Sequence, residues 1–494
     1  MMEQPVATTQ TGRVRGTVEG GVRRFLGIPY AAAPVGERRF RAPEPHAPWE
    51  GERDTSVPGP TPPQRLRDIP GLDIAALVGT GWVEGDDYLS LNIWAPDGDV
   101  GGLPVMVFIH GGAWVLGHKD VPGHDGTALA RGGVVSVAIN YRLGVEGFLP
   151  FPGCATNLGL RDQLFALAWV RDNIAAFGGD PANVTVFGES AGAMSIATLV
   201  ASPLAEGLFR RAIIQSGHAG MTRSVPVMQR LVAKMAKLLG VTPDLAGFAS
   251  TTPAQCLDAL VTVSEPGTRI DLRDADGREP AFGLSRFVPV HGDDVVPMPP
   301  LEALKQGAGA GIEVLIGTNR EEMNLYFVPT GVKAKINGLL AWLILRKVQP
   351  QARKVLKAYG GKGEKAGAVF GSALTDLVFR WPARRFAEEH RGRTHLYDFG
   401  WRSTAFGGEM GAAHGVEIPF VFDTLDSATG PEGLLGPTRP PQEIADHMRA
   451  LWIGFARDGS LPWPAFDRET RQVYDPSTRT TAHEAPMAAA PFLP

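Results

Sequence analysis

The sequence predicts an α/β protein organised on a large, mostly parallel sheet flanked by helices, and three stretches carry that expectation. Residues 104–109 form a continuous apolar run and residues 134–139 a β-branched one, as strands covered on both faces require. Leu160, Leu164, Leu167, Val170 and Ile174 recur at steps of three and four, which places one buried stripe on a helix after the second of these strands. The third stretch joins both periodicities: residues 183–187 read as a strand and 193–199 as a helix, with Gly188, Glu189, Ser190, Ala191 and Gly192 between them. Strand and helix alternating in this rhythm call for right-handed crossovers between parallel neighbours.

The turn at Ser190 has the form G-x-S-x-G. Small residues two before and two after the serine let strand and helix approach closely, while the serine takes a strained backbone that lifts its hydroxyl above the sheet edge. A chance match is easy in a chain with 61 glycines. What argues against chance is the strand before the turn and the helix after it, the context the motif needs.

Taken in order, residues 14–25 alternate weakly around Gly20-Gly21 and predict a hairpin ahead of the main sheet. Residues 58–70, rich in Pro and Arg, read as an exposed loop, and 89–94 as a strand. The strand at 104–109 runs into His110-Gly111-Gly112-Ala113-Trp114, a glycine-rich turn whose backbone N–H groups can face a developing oxyanion, with the N–H of Ala191 as the other half of the hole. His110 reads as a structural loop residue. Asp180-Pro181 is expected to end the preceding helix before the elbow strand, and 212–215 is the next strand. From about 225 to 310 the rhythm is lost after an amphipathic helix carrying Val227, Leu231, Met235, Leu238 and Leu239, and a second helical region covers 333–389. Both read as insertions in one main domain, 1–494, of the kind that commonly roofs an α/β pocket.

Serine chemistry needs a base and an orienting acid, in the chain order Ser, Asp or Glu, His. After Ser190, the strand at 314–317 leads into Thr318-Asn319-Arg320-Glu321-Glu322, so two carboxylates follow a strand's C-terminal end. Five histidines come later. His390 closes a charged helix, His395 lies inside a strand, His447 lies in a helix and His483 in the tail. His414 alone sits in a small-residue loop, Gly411-Ala412-Ala413-His414-Gly415, from which an imidazole can swing over the sheet edge.

Here the chain resembles the type-B carboxylesterases, the family of cholinesterases and bacterial para-nitrobenzyl esterases. The resemblance rests on residues 25–30, Leu91-Asn92-Ile93-Trp94, Asn140-Tyr141-Arg142-Leu143-Gly144, Asp162-Gln163, residues 177–181, Gly188 to Gly192, Gln215-Ser216-Gly217 and His414-Gly415 with Pro419-Phe420. It spans nearly the whole chain and implies an α/β-hydrolase fold with helical insertions over the active site. It also implies Ser190 as nucleophile, Glu322 as acid and His414 as base, with the N–H groups of Gly112, Ala113 and Ala191 as oxyanion hole. Gly111, Glu189 and Ser216 are implied as support. The reaction is then two-step acyl transfer to water on a small-molecule ester, with no cofactor and no metal.

Departures matter too. Many relatives have Asp-Cys-Leu where this chain has Asp87-Tyr88-Leu89, so their N-terminal disulfide cannot form; with only Cys154 and Cys256 present, free thiols in a bacterial cytoplasm are the expectation. The acidic loop has Glu321-Glu322-Met323 in place of the usual Asp-Glu-Gly. A net charge of −4 without a Lys/Arg-rich run gives no sign of a nucleic-acid partner or an anionic membrane surface, and a monomer is expected. The apolar run 339–345 is far short of the ~20 residues a membrane span needs and reads as a cap helix or entrance surface. Two other classes stay in view: an amidase or carbamate hydrolase with the same triad, and a non-catalytic adhesion or partner-binding homologue, against which the retained serine, acid and histidine argue.

Overall fold

The computed structural model describes residues 4–98, 100–265, 267–274, 277, 279, 285–360, 363–484 and 486–493. One sheet of eleven strands organises them. In chain order its strands are β1 (Thr17–Glu19), β2 (Val22–Pro29), β3 (Ser90–Pro96), β4 (Leu103–Ile109), β5 (Val135–Ile139), β6 (Gly179–Glu189), β7 (Arg211–Gln215), β8 (Glu313–Asn319), β9 (Thr394–Phe399), β10 (Gln472–Asp475) and β11 (Thr480–His483). In space they run β11-β10-β9-β8-β7-β6-β4-β5-β3-β2-β1. Every pairing from β10 through to β5 is parallel, and antiparallel pairs close both edges.

The side-chain period of two sorts the core into two layers. Val105, Val107 and Ile109 of β4 join one cluster and Met106 and Phe108 join the other. Helices Leu158–Asn173 and Ala191–Val200 lie in the first layer, through Leu160, Leu164, Leu167, Ile196 and Leu199. Helix Gln442–Asp458 covers the second with Met448, Leu451, Trp452 and Phe455. Both sheet faces are thus apolar, which is why the central strands are apolar throughout and show no in/out alternation.

The predicted strands and the stripe at Leu160 to Ile174 are present, with differences that have physical causes. Asp180-Pro181 lies inside β6 and not before it. The β4–β6 register shifts between Leu103 and Val105, and at this irregularity a residue without an N–H costs no ladder bond. The 58–70 loop is not exposed throughout. Thr61 and Gln64 are buried, and Gln64 bonds both the N–H (2.8 Å) and the carbonyl (3.1 Å) of Gly117, spending its amide on backbone. His483 belongs to the edge strand β11, which the weak alternation of its sequence concealed. In helix Val225–Leu239, Val227, Leu231 and Met235 are buried but Leu238 is exposed, because the stripe turns away from the core at the last turn. Described residues of 333–389 include helices Gly338–Leu345, Ala352–Tyr359, Ala366–Thr375 and Trp381–Glu389, the last two joined by a π-helical turn, Asp376–Arg380.

Candidate active site

Ser190 sits between β6 and helix Ala191–Val200 with φ 55° and ψ −124°, a conformation disfavoured for any residue with a Cβ. Its N–H donates to the Gln215 carbonyl on β7 (2.9 Å) and its carbonyl accepts from Met194 N–H (2.8 Å), so sheet and helix hold the strain from both sides. The glycines allow the close approach: a Cβ on Gly192 would lie 1.9 Å from the Ile109 carbonyl oxygen, and one on Gly188 2.5 Å from the same atom. The elbow therefore packs directly on the end of β4.

The turn after β4 lies against the serine. A Cβ on Gly111 would fall 3.1 Å from Ser190 Cβ and 2.8 Å from a Glu189 carboxylate oxygen, and Gly112 (φ 104°) and Ala113 (φ 55°) take positive-φ backbone. Among the described residues the N–H groups of Gly112, Ala113 and Ala191 have no acceptor in the chain. Behind the turn, Tyr141 Oη donates to the His110 carbonyl (2.8 Å) and stacks on its ring at 4.5 Å. The Asn140 side chain accepts from Lys119 N–H (2.8 Å), and Arg142 forks onto the buried Asp162 at 2.8 and 2.6 Å. The Asn-Tyr-Arg run is thus a brace for the glycine-rich turn. His110, held well below the usual range at about 3 by burial, is a neutral part of the same brace.

Glu322 and His414 meet although 92 residues separate them. Glu322 follows β8 and is fully buried; one carboxylate oxygen accepts from Asn319 N–H (2.7 Å) and the other from His414 Nδ1 (2.7 Å). The preceding Glu321 faces away, accepting from Ala412 N–H (3.0 Å) and pairing with Arg402 at the surface. His414 Nε2 lies 3.0 Å from a carboxylate oxygen of Glu189, the residue before Ser190, and no hydrogen bond joins it to the Ser190 hydroxyl among the described residues. Ser216, fully buried with φ 50°, adjoins the elbow through β7, its hydroxyl unpaired among the described residues.

Sequence reasoning missed the outer members of this cluster. Glu417 is buried, accepting from Asn319 Nδ2 and from Gln215 Nε2 (3.4 Å), while Gln215 accepts in turn from Trp452 Nε1 (3.0 Å). A lone acid in the apolar run Val416-Glu417-Ile418 was the available signal. Phe379 and Tyr326 stand over the imidazole with ring centroids 4.8 and 5.7 Å away. Three buried carboxylates around one imidazole perturb each other's protons. Burial pushes Glu189 up to about 8, with Glu417 and Glu322 adding to the rise and His414 opposing it. Burial and Glu322 raise Glu417 to about 6 against the Asn319 hydrogen bond. Burial works to lower His414, but Glu189, Glu322 and Glu417 outweigh it and hold the ring protonated up to about 9. Among the described residues, no group of three or more His, Cys, Asp or Glu side chains could hold a metal ion.

A serine on a strand–turn–helix elbow, at the C-terminal edge of a mostly parallel sheet and beside a buried imidazole–carboxylate pair, defines the class: a serine hydrolase of the α/β-hydrolase fold. The model of the Carboxylesterase family matches residues 3–490, and the chain belongs to that family. It is 39% identical over 486 residues to para-nitrobenzyl esterase of Bacillus subtilis (strain 168), covering 96% of this chain and 94% of that one. Identity to phenmedipham hydrolase of Pseudarthrobacter oxydans is 35% over 486 residues, 94% of each. A solved PNB esterase structure superposes with TM-score 0.85 at 34% identity over 100% of both chains, and a carboxylesterase of Geobacillus stearothermophilus with TM-score 0.82 at 34% identity over 97% of both. The chain is a carboxylic ester hydrolase, and among its described residues no helix is long and apolar enough to cross a membrane.

Proposed function

We propose that Ser190 is the nucleophile of this esterase, His414 its general base and Glu322 the orienting acid. The observation that carries this reading is the trio of main-chain N–H groups, Gly112, Ala113 and Ala191, unpaired among the described residues, on the turns that meet at the strained Ser190. Donors left without an acceptor in a folded chain call for a ligand, and the oxyanion of a tetrahedral intermediate supplies the charge they match. His414 takes the Ser190 proton through Nε2 as the hydroxyl attacks the ester carbonyl. Glu322 keeps Nδ1 protonated and stabilises the imidazolium; the alcohol leaves with that proton, and water repeats the attack on the acyl-enzyme. A carboxylate oxygen of Glu189, the serine's neighbour, lies 3.0 Å from the same Nε2 and favours the imidazolium.

The substrate is a small to medium, weakly charged ester. Residues 1–494 act as one catalytic domain, and the 225–310 and 333–389 segments roof its site. Two contacts support the roof: Ser285 Oγ donates to the Ala113 carbonyl (3.0 Å), and Phe379 stands 4.8 Å from the His414 ring. Free Cys154 and Cys256 suit a reducing bacterial cytoplasm. A second reading, amide or carbamate hydrolysis by the same residues, has the phenmedipham hydrolase relative in its favour.

The test is a panel of esters, amides and carbamates of graded acyl length, with Ser190→Ala as control and an organophosphate as label. Ester turnover lost in a folded Ser190→Ala protein, with labelling on Ser190 alone, is the expected result; a variant of near wild-type rate ends this assignment.

A further inference from the structure

Helix Gly338–Leu345 is apolar on the wrong side. Ala341 and Leu345 are buried against Phe370, Ala373 and Leu377, but Leu339, Leu340, Leu343 and Ile344 are 65, 40, 37 and 38% exposed on adjacent turns. Four neighbouring aliphatic side chains in water are a patch that a soluble enzyme has reason to avoid. The same stretch is unusual in charge. Residues 323–360 contain no Asp or Glu, yet they hold Lys333, Lys335, Arg346, Lys347, Arg353, Lys354 and Lys357 in a chain whose net charge is −4. These cations are spread too thinly to show as a basic run. Helices Gly338–Leu345 and Ala352–Tyr359 share one small core and bring Arg346 and Arg353 to the edge of the patch; Lys333 instead donates to Asn324 Oδ1 (3.0 Å), six of the seven are exposed, and among the described residues none makes an ion pair. Trp342 is half-buried between the guanidinium groups of Arg346 and Arg353, 4.8 and 4.6 Å from its ring.

We propose that this face docks on an anionic lipid bilayer surface, with Leu339, Leu340, Leu343 and Ile344 entering the headgroup boundary and the cations on the lipid phosphates. An apolar helical face rimmed by cations, with an indole at the boundary, matches a membrane interface in both polarity and charge. A second copy of the chain fits poorly, since docking face to face would oppose Arg346, Lys347 and Arg353 of one copy to the same cations of the other. The face also leads to the chemistry. Phe370, beneath the helix, stacks on Phe327 at 5.6 Å, and the neighbouring Tyr326 is partly exposed and 5.7 Å from the His414 ring. An ester dissolved in the bilayer surface would therefore meet the enzyme beside its roof.

Sedimentation of the full chain with vesicles of phosphatidylcholine plus phosphatidylglycerol, against phosphatidylcholine alone, tests the proposal. Binding to the mixed vesicles only, weakened by salt, is expected, with a fall of about fivefold for each cation neutralised among Lys347, Arg353 and Lys357. The triple variant Leu339→Ser, Leu343→Ser, Ile344→Ser should bind at least about tenfold more weakly while hydrolysing a water-soluble ester at the wild-type rate, which also certifies its fold. No sedimentation with mixed vesicles overturns the proposal, as does equal binding by wild type and the triple variant. A wild-type dimer in solution that the triple variant abolishes would make the face a self-association surface and overturn it equally.

Discussion

Changing Glu322 to Gln probes the site at its most constrained atom pair. Its two carboxylate oxygens each accept from a fixed donor, Asn319 N–H and His414 Nδ1, both at 2.7 Å. An amide of the same shape has one acceptor oxygen, so it can satisfy only one of them. If the oxygen stays on Asn319, the NH₂ meets Nδ1–H donor to donor. The ring must then move its proton to Nε2, where it can no longer receive one from Ser190. If the amide flips, a buried backbone N–H loses its acceptor and the imidazolium loses its counter-charge all the same. Loss of a triad carboxylate lowers kcat by about 10⁴, or about 5 kcal/mol of transition-state stabilisation. The paired control is Glu321→Gln, which removes only an ion pair to Arg402. That partner's side chain is 59% exposed, and such pairs contribute about 1 kcal/mol or less. Steady-state kcat on one activated aryl ester near neutral pH should fall severely for Glu322→Gln and hardly at all for Glu321→Gln, with a loss of at most a few degrees in Tm for the latter. The reverse ranking would transfer the role to Glu321, and two mild effects would refute the reasoning outright.

Other consequences can be measured alongside. Gly112→Ala places a Cβ 2.3 Å from the Leu116 carbonyl oxygen, distorting the turn, and should lose about 10²–10³ in kcat; Ala113→Gly suits the existing φ of 55° and should keep its rate, so a tolerant Gly112→Ala would move the oxyanion hole elsewhere. With His414 as the proposed base, competent only when neutral and held protonated up to about 9, kcat/KM should still be rising with pH above neutrality. Glu189→Gln removes the negative charge 3.0 Å from Nε2 and should shift that limb down by about one unit or more; an unmoved limb would exclude Glu189 from controlling the base. Stability should carry the same signature. The folded chain keeps protons on Glu417 to about 6, on Glu189 to about 8 and on His414 to about 9, all raised above their ordinary values, so their contribution is present at low pH and lost as pH rises from about 4.5 to about 9. Tm measured across that window should fall more steeply for wild type than for Glu189→Gln.

The sequence by itself determined the parts that depend on periodicity and on backbone geometry. Apolar runs such as 104–109 announced strands covered on both faces, because a parallel sheet between helix layers leaves no polar side. Gly188 and Gly192 marked the elbow, because only glycine tolerates the Ile109 carbonyl at its Cβ position. Local spacing placed His414 in a loop and two carboxylates after β8, and it could go no further from the residues alone. Only the tertiary structure put Glu322 on His414 and Glu321 on Arg402, since which of two adjacent side chains turns inward is decided by the Ala412 backbone it meets. Glu417 was invisible for a related reason: a buried acid is stable only with partners, and its partners Asn319 and Gln215 come from β8 and β7, far away in sequence. Gln64 looked like a surface-loop residue until Gly117 appeared opposite its amide. The cations of residues 323–360 follow the same rule. One-dimensional spacing dispersed them, and two short helices that bury Ala341, Leu345, Ala352 and Val355 against Phe370 set Arg346 and Arg353 beside an exposed apolar face, because burial chooses which side of a helix faces the core and leaves the rest to water.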